Sequence, residues 1–71
     1  MSRLDDKFVT IEVEFKHAKP NAVLVAKDDE EVWLPRSLLS YRSDREMDRY
    51  TRGMIIDMKL FEWKARDLGW L

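Results

Sequence analysis

Cysteine is absent from this 71-residue chain, and glycine, proline and histidine are scarce: two, two and one. No disulfide can staple the fold, and no thiolate can bind a metal or attack a substrate. The lone histidine, His17, offers no His-rich metal site, and no Gly-rich loop is present to cradle phosphates. Long apolar runs are missing too. None approaches the roughly 18–20 residues of a membrane-spanning helix, and the first residues, "MSRLDDKF", lack a signal peptide's apolar stretch. Together with the lack of cysteine, this leads to the expectation of a cytoplasmic protein.

What is present suits one small domain covering residues 1–71. Apolar residues make 45% of the chain and charged residues 38%, an ordinary balance for a globular domain. A chain this short buries only about 60% of its unfolded surface, so its stability margin is narrow. Three Trp, three Phe and two Tyr supply large buried areas from few positions. Net charge is −1, unevenly divided. Residues 1–35 hold five Lys/Arg against eight Asp/Glu, and residues 36–71 hold eight against six. A dedicated nucleic-acid binder normally shows a clear positive excess, because phosphate neutralisation supplies much of its affinity. This chain does not.

Strand patterns dominate. In "FVTIEVEF", residues 8–15, Val9, Ile11, Val13 and Phe15 alternate with Thr10, Glu12 and Glu14, which predicts a strand with one wet face. "KHAKPN", 16–21, reads as a loop, and "AVLVAK", 22–27, as a strand covered on both faces. "DDE" turns the chain, and "EVWLP" returns it as a strand that Pro35 ends or confines to an edge. "RSLLS" is expected to form one helical turn with Leu38 and Leu39 under the sheet. Ser43 and Glu46 have capping-box spacing and Gly53 suits a stop, predicting a surface helix near 44–52. "MIIDMKLF", 54–61, reads as a strand with Met54, Ile56, Met58 and Leu60 inward. A short helix near 62–68 follows, ended by Gly69, with Trp63 and Trp70 expected to dock on the core. The fold class is therefore mainly β with short helices. Four or five strands would form a strongly bent antiparallel sheet or an SH3-like or OB-like barrel, with a plain sheet and one covering helix as the alternative.

Candidate sites are few. The acidic run Asp28 to Glu31 lacks the spacing and glycine of a calcium loop and reads as a solvated turn. His17 near Glu12 or Glu14 has no nucleophile to serve. No enzyme activity, metal or cofactor is expected. The arginines of the 41–53 segment are the strongest constellation. Arg42, Arg45, Arg49 and Arg52 fall within an arc of about 80° on a helix, and Arg36 extends the stripe across the corner. Pairs Arg42–Glu46 and Asp48–Arg52 would neutralise it in part. Trp33, Tyr41 and Tyr50 are the neighbouring aromatics that could join a contact. The stripe suits an acidic protein partner, or phosphates with the aromatics stacking on bases. A third reading is a homo-oligomer formed through a free sheet edge.

The stretch "AVLVAKDDEEVWLPRSLL" resembles a group of short proteins, many from phages and mobile elements, that carry an A-x-L-V hairpin followed by E-x-W-[IL]-P-x-S. The "EWKARDLG" segment is similar to their C-terminal "EW.A...G". The resemblance covers residues 22–40 and 54–71. This chain has Asp28-Asp29-Glu30 where the group has an Asp-Gly turn, and its charged segment 41–53 is an elaboration. The resemblance implies a small barrel of mobile-element origin, acting as an accessory or inhibitor in nucleic-acid metabolism or host interference, without an assigned activity.

Overall fold

The computed structural model describes residues 7–71. Four strands, β1 (Phe8–Ala18), β2 (Ala22–Lys27), β3 (Glu30–Pro35) and β4 (Ile55–Phe61), form one antiparallel sheet in the order β3-β2-β1-β4. The sheet is open, with β3 and β4 at its edges. Two six-residue helices, α1 (Tyr41–Glu46) and α2 (Glu62–Asp67), accompany it, with 3-10 turns at Arg36–Leu38 and Met47–Arg49. Among the described residues no helix is long and apolar enough to cross a membrane.

The alternation in β1 does what its pattern requires. Ile11, Val13 and Phe15 are buried with Val23 and Val25 of β2, Leu34 of β3, and Ile56, Met58 and Leu60 of β4. Leu39, Met47 and Ala65 close this core from the helical side. Strand β1 runs into the expected loop as far as Ala18 because a bulge between Phe15 and His17 resets its register. His17 and Ala18 then pair with Leu24 and Val23, and only residues 19–21 form the loop.

Strands β2 and β3 join through Asp28 and Asp29, whose φ angles of 55° and 68° define the mirror-image turn that matches strand twist. Two aspartates tolerate this left-handed backbone, but glycine adopts it without the Cβ penalty. Asp29→Gly removes a left-handed penalty of about 1–2 kcal/mol and adds about 0.4–1 kcal/mol of unfolded-chain entropy, so it is expected to stabilise the fold by about 0.5–1 kcal/mol. A urea midpoint unchanged or lowered by the substitution would contradict this.

The helical insert differs from its expected position. α1 begins three residues earlier, because Ser40 rather than Ser43 caps it: the Ser40 side chain accepts from the Ser43 N–H at 3.2 Å. Ser43 is buried, and its Oγ accepts the Lys59 N–H of β4 at 2.9 Å. The Ser40 N–H donates to the Lys59 carbonyl at 2.9 Å, and Leu39 bridges Leu60. This segment thus satisfies part of the β4 edge, which would otherwise invite another strand. Ser43→Ala should cost about 1–2 kcal/mol by orphaning that donor, whereas Ser40→Ala should cost about 1 kcal/mol as a lost cap. Faster amide exchange at Lys59 in Ser43→Ala, and not in Ser40→Ala, distinguishes the two roles.

Helical backbone ends at Arg49, not Arg52. Tyr50 is extended, with its ring edge-on to Phe15 at 5.7 Å. Gly53 acts instead in the turn before β4: at φ +94° its N–H donates to the Phe15 carbonyl. Met54 precedes the strand and is exposed rather than inward, its sulfur accepting from the Thr51 N–H. At the C-terminus the expected stop is in place. Gly69, at φ +79°, donates to the Arg66 carbonyl and Trp70 to that of Ala65, the two bonds of a Schellman cap. Trp70 docks on the core, but Trp63 is 44% exposed and does not.

Candidate binding surface

Ser40 fixes where α1 starts, and so fixes which side chains share its outer face. Tyr41, Arg42, Arg45, Glu46 and Arg49 line a shallow cleft of about 310 Å³. Tyr41 is 76% exposed, and the Arg45 guanidinium lies 5.5 Å from its ring centroid, within cation–π range. Neither of the anticipated pairs, Arg42–Glu46 and Asp48–Arg52, forms. Glu46 instead accepts from the Tyr50 hydroxyl at 3.2 Å, and Asp48 is held by Arg36. Among the described residues, Arg42, Arg45 and Arg49 make no ion pair.

Arg36 does not extend this stripe. Its side chain is 11% exposed, and all five of its N–H donors are occupied. Nε donates to Asp44 Oδ1 at 2.6 Å, and Nη1 to the Lys19 carbonyl and Asp48 Oδ1, both at 3.0 Å. Nη2 donates to the Asp44 carbonyl at 2.6 Å and Asp48 Oδ2 at 3.2 Å. The guanidinium ties the β1–β2 loop and the corner after β3 to α1 and its 3-10 extension. Hydrogen bonds donated to Asp48 and Asp44 hold Arg36 even more firmly protonated than usual, and the same contact lowers the Asp48 carboxyl below its ordinary value. Arg36 is a structural clasp.

The remaining candidates divide. Arg52 lies in the turn before β4 and reaches the Lys16 carbonyl at 3.5 Å, away from the α1 cleft. Tyr50 is partly buried on the core. Burial first, then the Glu46 contact, raises its hydroxyl above the usual tyrosine range. Its ring is not available to stack on a ligand as Tyr41 is. Trp33 faces outward from β3, half-exposed, edge-on to His17 at 6.3 Å and under Lys19 Nζ at 4.9 Å. It forms a separate patch from the α1 cleft.

The acidic residues also gather. Glu12, Glu14, Asp28, Asp29 and Glu31 rim a groove on the sheet's outer face, with Lys16 and Lys27 among them. Among the described residues no group of three His, Asp or Glu side chains converges to hold a metal. The molecule therefore carries an acidic sheet face and a basic helix face.

One surface feature escaped the sequence reading. Phe8 stacks on Phe61 at 4.7 Å across β1 and β4, and Phe61 on Trp63 at 6.3 Å, all near-parallel. Its signal lay in the alternation: Phe8 has the same parity as Thr10, Glu12 and Glu14, and Phe61 that of Asp57 and Lys59. Both phenylalanines thus face outward with the polar residues. No protein-family model, curated protein or solved structure matches the chain.

Proposed function

We propose that this protein is a non-enzymatic binding module that engages an acidic protein surface through Tyr41, Arg42, Arg45 and Arg49. The observation that carries the reading is the state of these arginines. They share one cleft beside an exposed tyrosine, without a carboxylate pairing to neutralise them among the described residues. Arg36, a few residues away, shows what a structural arginine looks like here, with every donor used. Unpaired guanidinium groups keep their fork available for bidentate recognition of carboxylates, and Arg and Tyr are favoured anchors of protein interfaces. The open sheet with its corner turn and short helices suits an SH3-like frame for such a site. With the motifs of residues 22–40 and 54–71, we place the protein among accessory or inhibitory proteins of phages and mobile elements.

Phosphates could occupy the same cleft, which makes a nucleic acid the competing ligand. The acidic sheet face favours the protein reading: a protein can confine its carboxylates to the cleft, whereas a phosphate strand carries charge along its whole length and is repelled wherever it meets that face. The test is fluorescence anisotropy with a labelled glutamate-rich peptide, single-stranded oligonucleotides and duplexes, at low and moderate salt. The peptide is expected to bind the wild type and to lose about tenfold or more in affinity to Arg45→Glu/Arg49→Glu, the equivalent of about 1.4 kcal/mol. Oligonucleotide binding should be weak. If present it should fall steeply with salt, since each neutralised phosphate on a single strand contributes about −0.7 to the log–log slope. Micromolar oligonucleotide binding that persists at moderate salt and vanishes in the double variant would replace this reading with a nucleic-acid-binding one.

A further inference from the structure

The aromatic stack and the arginine cleft are parts of one surface. A second groove, of about 430 Å³, runs from Phe8 and Thr10 past Asp57 and Lys59 to Arg42 and Glu46. Arg42 and Glu46 also line the arginine cleft, so the two depressions share a wall. Phe8, 41% exposed, begins the stack that continues through Phe61 to Trp63, 44% exposed. Placing large rings in water is costly for a domain with so few core residues, and contiguous exposed apolar surface marks an interaction site. The surface is also segregated. Arg45 and Arg49 lie at one end with Tyr41; Phe8 begins the aromatic stack at the other; Asp57 and Glu46 sit between, next to Lys59 and Arg42.

We propose that the partner presents an extended segment of matching layout, a carboxylate-rich stretch followed by an aromatic or aliphatic anchor that packs on Phe8, Phe61 and Trp63. This rests on the protein-binding reading of the arginine cleft and adds the partner's second element. A uniformly charged strand fits less well. A phosphate backbone would carry its charge past Asp57 and Glu46, and the stacked rings already turn faces towards one another instead of towards a base. A peptide with its charge at one end avoids both penalties.

The experiment compares two fluorescein-labelled peptides by anisotropy. Both carry a run of glutamates and a Gly/Ser spacer; one ends in Trp-Leu, the other in Gly-Ser. The Trp-Leu peptide is expected to bind the wild type about tenfold more tightly, the effect of one well-packed anchor. Trp63→Ser should abolish most of that gain and leave the affinity of the Gly-Ser peptide unchanged. Phe8→Thr, at the other end of the stack, is the second variant should Trp63→Ser fail to fold by circular dichroism. Arg45→Glu/Arg49→Glu should weaken both peptides. Equal affinity of the two peptides for the wild type, or a gain that survives both stack variants, would overturn the inference while the arginine reading stood. No binding of either peptide would overturn both. Tighter binding of oligothymidylate, lost in Trp63→Ser, would assign the surface to single-stranded nucleic acid and overturn the peptide partner.

Discussion

Met47→Ala is expected to bring the protein to the edge of unfolding at ambient temperature. Met47 is 1% exposed and belongs to the core, although it sits in the 3-10 turn that prolongs α1. It fills space between the sheet and the helical segment, and truncating a buried Met to Ala costs about 2–5 kcal/mol. A domain of this size without a disulfide commonly holds only about 3–5 kcal/mol from its core. One cavity therefore consumes most of the margin. Met47→Leu keeps the volume and should cost less than about 1.5 kcal/mol. Thermal melts followed by circular dichroism decide it. A Met47→Ala melt overlaying the wild type would show that the insert is not part of the core.

Arg36→Ala should be the next most damaging change, although Arg36 looks like a surface residue in sequence. Losing a guanidinium that bonds two carboxylates and two carbonyls should cost about 2 kcal/mol, taken from the usual value of hydrogen bonds to charged groups. The loss is smaller than for a buried pair because Asp44 and Asp48 remain wet and are hydrated once the arginine is gone. The midpoint should fall by about 10 °C for a chain this short. Arg36→Lys should recover little, since three ammonium donors cannot reproduce five planar ones. The contact also sets an acid dependence. The Asp48 carboxyl is lowered in the folded state, so its contribution is present above the unfolded value of 3.8 and is lost as pH falls through the lower folded value. The wild type should therefore lose stability below about pH 4 more steeply than Arg36→Ala. Parallel acid profiles for the two proteins would exclude Arg36–Asp48 as the cause.

The parts legible in sequence are those whose cause is local. Alternation in residues 8–15 places Ile11, Val13 and Phe15 on the core side, and Gly69 marks the end of α2 because only its own backbone decides it. Pro35 ends β3 for the same reason. What was illegible depends on distant partners. Ser40 and Ser43 both precede a helical pattern, and only the nearby β4 edge, which claims the Ser43 hydroxyl, makes Ser40 the cap. Arg36 belongs to the stripe by spacing, but Asp44, Asp48 and the Lys19 carbonyl turn it into a clasp. Trp63 follows a strand in a pattern that suits docking, yet Phe61 and Phe8 face outward and draw it onto the surface. The candidate site was accordingly half visible. Arg42, Arg45, Arg49 and Tyr41 share the cleft, while Arg36 is committed elsewhere, Arg52 and Trp33 lie apart from it, and Tyr50 packs on the core.

The claim that the α1 face is the recognition surface is tested most directly by mapping a ligand onto it. Titration of the isotopically labelled protein with a glutamate-rich peptide, followed by amide and arginine side-chain NMR shifts, gives the location residue by residue. Perturbations are expected at residues 41–49, with the largest side-chain shifts at Arg42, Arg45 and Arg49 and little change at Arg36, whose donors are already filled. Shifts centred instead on Trp33, His17 and Lys19, or uniform small shifts across every basic residue, would contradict the account.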